Sequence, residues 1–145
     1  MSAEFLLKNY LEEQHIEGFA VSSAGTRATA PRESDPEAIA TLRSYGIVVP
    51  ERMPRRLTRE DLNASDIVIT FSDYHIDLMQ KEFGFYDAIL WNDILKGEKS
   101  NVSDIEDVVA NVSDREAVMG HIRSTVTYLH DSMPMLYERI IALLH

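Results

Sequence analysis

Short apolar runs alternate with amphipathic segments of helical period along most of this sequence. Residues 19–25 (FAVSSAG), 66–71 (DIVITF) and 88–91 (AILW) predict three buried strands, because a strand covered on both faces is apolar throughout. Helical segments separate these runs, so the strands need crossover connections and lie parallel to one another. The sequence therefore predicts a doubly wound α/β fold, in which a parallel sheet lies between two helical layers (three-layer α/β/α).

Start and stop signals mark the helices between these strands. The predicted helices begin near Met1, at Asp35-Pro36, at the Thr58–Asp61 capping box, after Ser72 and at the Ser113–Glu116 capping box. Gly46 and Gly84 are expected to end the second and fourth of these helices. Pro134 is expected to kink or split the last helix, because proline removes one backbone hydrogen bond from a helix interior.

Composition limits the class of protein. A chain of 145 residues with 45% hydrophobic and 26% charged residues is typical of one globular domain, predicted here as residues 1–145. No apolar run approaches the roughly 20 residues that span a bilayer, and the first segment, MSAEFLLKNYLEEQ, is too acidic for a signal peptide. We therefore expect a cytoplasmic protein. The net charge of −10 disfavours binding to nucleic acid or to an anionic membrane.

The sequence shows no recognisable metal site and only one cluster of side chains that could bind an anion. The chain has no cysteine, which excludes disulfides and thiolate metal sites. Its five histidines show no metal-ligand spacing, so no metal and no cofactor is predicted. Arginines are concentrated at positions 52, 55, 56 and 59. They could bind an anion, but a solvated surface loop is the favoured interpretation.

Four stretches, taken in order, carry a family resemblance. They are SAEFLLKNYL (2–11), VSSAGT (21–26), SDPEAIATLRSYGI (34–47) and RRLTREDLNASDIVITFSDYHIDLM (55–79). Their order and spacing resemble the low-molecular-weight protein tyrosine phosphatase family over about residues 1–108. The matching positions are Ser23, Ala24, Gly25, Gly46, Ile47, Arg56, Leu57, Thr58, Ser65, Asp66 and His75. The first stretch is similar to the segment that directly follows the family's phosphate-binding loop.

The resemblance implies a mechanism whose main parts this sequence lacks. In the family, a cysteine thiolate in a Cys-x5-Arg loop attacks the phosphoryl group, and an aspartic acid protonates the leaving group. That loop, and the central first strand that leads into it, would precede Met1. The resemblance therefore implies the family fold with its first strand missing.

Two residues match supporting parts of the family's site. Asp104 is the candidate general acid, with Asp107 as the second choice. The alternative is that both are carboxylates of a solvated acidic loop. Ser23 matches a serine that helps hold the phosphate loop, although without that loop a strand-end hydroxyl bonded to the backbone is the simpler interpretation. His75 is interpreted as a surface residue.

These observations lead to expectations about activity. The complete family protein would hydrolyse phosphotyrosine in a protein or in a small phosphate ester, whereas this chain is expected to be inert towards p-nitrophenyl phosphate. Two explanations stay open: a chain recorded from an internal methionine, which is favoured, or a natural pseudo-phosphatase that acts as an interaction module. A third interpretation is a flavodoxin-like or receiver-like domain, but this sequence shows neither the acidic pocket nor the flavin loop that such a domain needs. Arsenate reductases of the same fold also depend on cysteine. An open sheet would borrow a strand, so a homodimer is expected.

Overall fold

A computed structural model describes residues 2–25, 36–50, 55–102 and 114–144. The elements, in chain order, are α1 (Ser2–Glu13), α2 (Pro36–Ser44), α3 (Arg59–Ala64), β1 (Val68–Thr70), α4 (Asp73–Phe83), β2 (Ala88–Leu90), α5 (Trp91–Lys96) and the long helix α6 (Arg115–Leu144). The predicted alternation of strands and helices is confirmed for β1, α4 and β2.

The sheet of the described residues consists of β1 and β2. The two strands pair in parallel, with Val68 opposite Ala88 and Thr70 opposite Leu90, and α4 makes the crossover between them. Residues 19–25, the first predicted strand along the chain, do not form a strand. Only Gly25 makes a bridge, to Arg56, because a strand needs a continuous partner and no described segment supplies one.

The two faces of this sheet pack against different helices. Odd-numbered residues such as Ile69 and Ile89 pack against a core built mainly by α1, α2, α5 and α6. Its most deeply buried members are Leu6, Leu42, Leu129, Met133 and Leu136. Successive strand residues point to opposite faces, so the other face carries Thr70 and Leu90, on the side where α4 contacts both strands. This arrangement is the predicted doubly wound α/β architecture.

Local sequence signals fix several helix ends as predicted. The Thr58 hydroxyl accepts the Asp61 N–H while the Asp61 carboxylate accepts the Thr58 N–H, which completes the capping box of α3. Gly84 ends α4 in the left-handed conformation at φ 61°. The last helix begins at Arg115, where the sequence predicted a capping box of Ser113 and Glu116; instead, the Asp114 carboxylate caps the first turn by accepting the Ala117 N–H. Ser113 lies outside the described residues.

Two boundaries differ from the prediction. Trp91 is the first residue of α5 and not the last residue of a strand. A kink or a split was expected at Pro134; the split is wrong, since α6 runs through Pro134 as one helix, and the kink stays a prediction. Pro134 is itself exposed, and the neighbouring Met133 and Leu136 lie fully in the core, so packing of α6 outweighs the single backbone hydrogen bond that proline removes.

Candidate functional site

Several polar side chains lie at the carboxyl edge of the sheet. Ligands of parallel α/β proteins bind beyond the carboxyl ends of the strands. In this chain β1 is followed there by Phe71 and Ser72, and β2 by Trp91 and Asn92. The amino terminus of α1 lies at the end of the 19–25 segment, because Glu4 in its first turn contacts Ser23.

Glu4 is the centre of a buried polar cluster at this edge. Its side chain is only 1% exposed, although it carries a carboxylate. The Ser23 hydroxyl donates to Glu4 Oε1 at 2.7 Å, and the Lys8 ammonium donates to Oε2 at 2.8 Å. A carboxylate in the first turn of a helix is also favoured by the helix dipole. The cluster therefore ties the turn at residues 23–25 to the start of α1.

The structure places Ser23 differently from the simpler interpretation of its sequence position. Its hydroxyl bonds the side chain of Glu4, whereas a backbone partner was expected. A role in holding a phosphate loop stays a prediction. Glu4 itself was missed, although the sequence contained a signal: Glu4 and the buried Leu11 are seven residues apart and therefore share one face of α1.

A second polar network joins the ends of β1 and β2. The Val102 N–H donates to the Phe71 carbonyl at 2.8 Å, and the Asn92 amide donates to the Asn101 carbonyl at 3.2 Å. The Tyr128 hydroxyl of α6 donates to Asn92 Oδ1 at 2.6 Å. These bonds fix residues 101 and 102 across the carboxyl edge. The candidate acid Asp104 and its alternative Asp107 follow directly and lie outside the described residues.

Beside this network lies a shallow cleft of about 240 Å³ between α5 and α6, whose exposed lining is mostly apolar. Asn92, Lys96, His121, Thr125 and Tyr128 contribute to its lining. The Lys96 ammonium lies 5.6 Å from the centre of the Tyr128 ring. Hydroxyl, imidazole and ammonium groups in such a cleft can bind a polar ligand, but none of them is a thiolate with a strong intrinsic nucleophilicity.

The described arginines of the arginine-rich segment pair with groups of this same chain. Arg55 grips the Asp61 carboxylate with two bonds of 2.9 and 2.8 Å, and this guanidinium holds the pKa of the Asp61 carboxyl below its usual value. Two further arginines contact α4, in the pairs Arg56–Glu82 (3.9 Å) and Arg59–Phe83 carbonyl (3.0 Å). Arg52 lies outside the described residues. These contacts agree with a solvated surface segment better than with an anion site.

Comparison with known families decides what this scaffold is. The family model described as low molecular weight phosphotyrosine protein phosphatase matches residues 1–137. The chain belongs to this family. Comparison with curated protein sequences gives no match.

Solved phosphatase structures share the fold at low sequence identity. A low molecular weight protein tyrosine phosphatase from Bacillus subtilis is 20% identical, with a TM-score of 0.79 over 97% of this chain and 88% of that chain. A YwlE mutant from Bacillus subtilis is 20% identical, with a TM-score of 0.78 and coverages of 96% and 88%. The YwlE arginine phosphatase from Geobacillus stearothermophilus is 19% identical, with a TM-score of 0.76 and coverages of 97% and 84%. The likeness shows the fold of the family.

No helix in the described parts of the chain is both long and apolar enough to cross a bilayer. Among the same residues, no group of three or more histidine, aspartate or glutamate side chains is placed to hold a metal ion.

Proposed function

We propose that this polypeptide is a low-molecular-weight phosphatase scaffold that does not itself hydrolyse phosphate monoesters. The observation that carries the proposal is the absence of cysteine from all 145 residues of a family member. The family reaction depends on a thiolate nucleophile, and phosphate monoesters need accelerations of up to about 10²¹-fold. At the carboxyl edge the Ser23 hydroxyl donates to the buried Glu4 carboxylate, which the Lys8 ammonium also binds, but a serine hydroxyl is a much weaker nucleophile than a cysteine thiolate.

The substrate that the scaffold was built to accept is a phosphorylated protein side chain or a small phosphate ester. Members with this fold include proteins described as tyrosine phosphatases and as an arginine phosphatase, so phosphotyrosine and phosphoarginine are both candidates. Asp104 is proposed as the residual general acid. Cytoplasmic residence also stays a prediction.

The test is hydrolysis of p-nitrophenyl phosphate by the purified chain. We expect no release of p-nitrophenol above a blank, because no group replaces the attacking thiolate. Asp104→Asn and Asp107→Asn form a matched pair that separates true activity from a contaminant. Turnover that survives repurification and falls in Asp104→Asn, but not in Asp107→Asn, would overturn the proposal.

The second candidate is a natural pseudo-phosphatase that acts as an interaction module. It is favoured by the sheet edge that β1 leaves without a partner among the described residues. The homodimer predicted from the sequence is one form of such an interaction. Light scattering on the purified chain measures it directly: a mass of twice 16.5 kDa supports the dimer, and a mass of 16.5 kDa contradicts it.

A further inference from the structure

An open groove of about 400 Å³, here called the amino-edge groove, lies at the end of the sheet opposite its carboxyl edge. It is lined by residues 66–67, which lead into β1, by residues 86–89, which lead into β2 and form its start, and by Leu143 near the end of α6. Because β1 and β2 run parallel, their two lead-in segments lie side by side. The groove therefore lies on the β2 side of β1, away from the edge that β1 leaves without a partner among the described residues.

The apolar stripe of α6 continues into this groove. Its core members follow one another in steps of three or four residues, through Leu129, Met133, Leu136 and Ile140. The next step of three reaches Leu143, so that this residue lies on the same face of the helix. Ile140 is 7% exposed, whereas Leu143 is 53% exposed, because no described residue covers it. The core-facing stripe of α6 therefore ends in an uncovered leucine inside the groove.

The other large side chains of the groove are an exposed aromatic ring and two carboxylates. Tyr86 is 70% exposed, and Asp66 and Asp87 are exposed as well. Among the described residues neither carboxylate takes part in an ion pair, and the lining holds no lysine, arginine or histidine. Val68 pairs with Ala88 a residue or two further on, and paired strands lie roughly 4.8 Å apart. Both carboxylates are therefore within reach of a single cationic group.

We propose that the amino-edge groove binds a peptide segment of a partner protein in which an arginine lies beside a large apolar residue. The guanidinium binds the carboxylates of Asp66 and Asp87 and stacks on the ring of Tyr86, since it combines several N–H donors with a planar face. The apolar neighbour covers Leu143 and removes its exposed surface from water. A second copy of this chain is a poor partner, because its net charge of −10 opposes approach to an acidic surface. The proposal does not depend on phosphatase activity, since the groove lies at the other end of the sheet.

The probe is the acetylated and amidated peptide GLRFG, titrated into the full ¹⁵N-labelled chain and followed by the NMR shifts of the backbone amides. We expect the shifts to change at residues 66–67 and 86–89. The matched peptide carries citrulline, which keeps the shape of arginine without its charge, and we expect it to bind about fivefold more weakly. At about 0.5 M sodium chloride the two peptides should bind almost equally, because salt screens exposed charges. The peptide GARAG keeps the charge but lacks the apolar side chains, and should also bind about fivefold more weakly.

Two matched pairs of variants test the location. Asp87→Asn should weaken GLRFG about threefold, whereas Asp77→Asn removes the same charge from an exposed position of α4 and should leave binding unchanged. Leu143→Ala should also weaken it about threefold, whereas Met135→Ala, at a 46% exposed position of the same helix outside the groove, should not. All four positions are exposed, so the variants should fold, which circular dichroism checks. If one does not fold, the comparison of the arginine and citrulline peptides on the unaltered chain decides.

Four outcomes would contradict the proposal. They are the absence of shift changes with GLRFG, equal binding of the arginine and citrulline peptides at low salt, an equal loss of binding in Asp87→Asn and Asp77→Asn, and groove amides whose shifts depend on the concentration of the chain without any peptide. The last result would assign the groove to a second copy of the chain. Shift changes confined to the carboxyl edge would count as the first of these outcomes, because the peptide would then bind elsewhere.

Discussion

Removal of the Ser23 hydroxyl tests the buried polar cluster at the start of α1. Ser23→Ala deletes the 2.7 Å bond to the Glu4 carboxylate, which is almost inaccessible to water. A hydrogen bond to a charged group contributes about 1.5–3 kcal/mol to stability. The Lys8 ammonium bonds the same carboxylate but is 48% exposed, so its contribution is expected to stay below about 1 kcal/mol.

The assay is urea denaturation followed by circular dichroism. With a slope of roughly 2 kcal/mol per molar urea, Ser23→Ala should lower the midpoint by about 1 M without changing the slope. Ser22→Ala is the matched control, because Ser22 is the exposed neighbour and its change should cost less than about 0.5 kcal/mol. Lys8→Met should fall between the two.

Two results would refute this reasoning. Equal midpoints for Ser23→Ala and Ser22→Ala would mean that the buried carboxylate does not depend on the serine hydroxyl. A larger loss for Lys8→Met than for Ser23→Ala would mean that the exposed ion pair, and not the buried hydrogen bond, holds Glu4 in place.

Three further predictions concern other parts of the scaffold. Leu136→Ala, at a core position with no exposed surface, should cost about 2–5 kcal/mol in the same urea assay. Asp61→Asn removes the capping carboxylate that Arg55 holds; since the pKa of Asp61 is lowered on folding, its stabilisation should be present at neutral pH and lost as the pH falls below about 4, measured as the difference in melting temperature from the unaltered chain. Tyr128→Phe should cost about 1 kcal/mol in thermal unfolding, because buried Asn92 loses a donor.

Each of these three has a result that contradicts it. For Leu136→Ala it is a loss below about 1 kcal/mol, which would mean that the core collapses around the cavity. For Asp61→Asn it is a difference that does not depend on pH, and for Tyr128→Phe it is an unchanged melting temperature.

Elements set by local signals were predictable from the sequence. The capping box at Thr58 and Asp61 and the glycine stop at Gly84 act within one helical turn, so the sequence alone places them. The apolar run of β1 was predictable for the same reason, since its composition fits a strand covered on both faces. The doubly wound fold followed from the order of these elements.

Features decided by distant contacts were not predictable. Residues 19–25 have the composition of a strand, but a strand forms only where another strand pairs with it. Trp91 continues the apolar run of β2, and only its packing in the core with α6 makes it the start of α5. The helix through Pro134 is likewise decided by burial of its neighbours. The pairing of Glu4 with Ser23 joins residues 19 positions apart, a distance that no local pattern encodes.

The central claim is that a member of the low molecular weight phosphatase family is inert when its chain carries no cysteine. The most direct test is a rapid-quench experiment with the chain in excess over a radiolabelled phosphotyrosyl peptide, in which both inorganic phosphate and protein-bound phosphate are measured. The account predicts neither product above the level of a heat-denatured control. A burst of protein-bound phosphate, or release of inorganic phosphate that scales with the concentration of the chain, would contradict it.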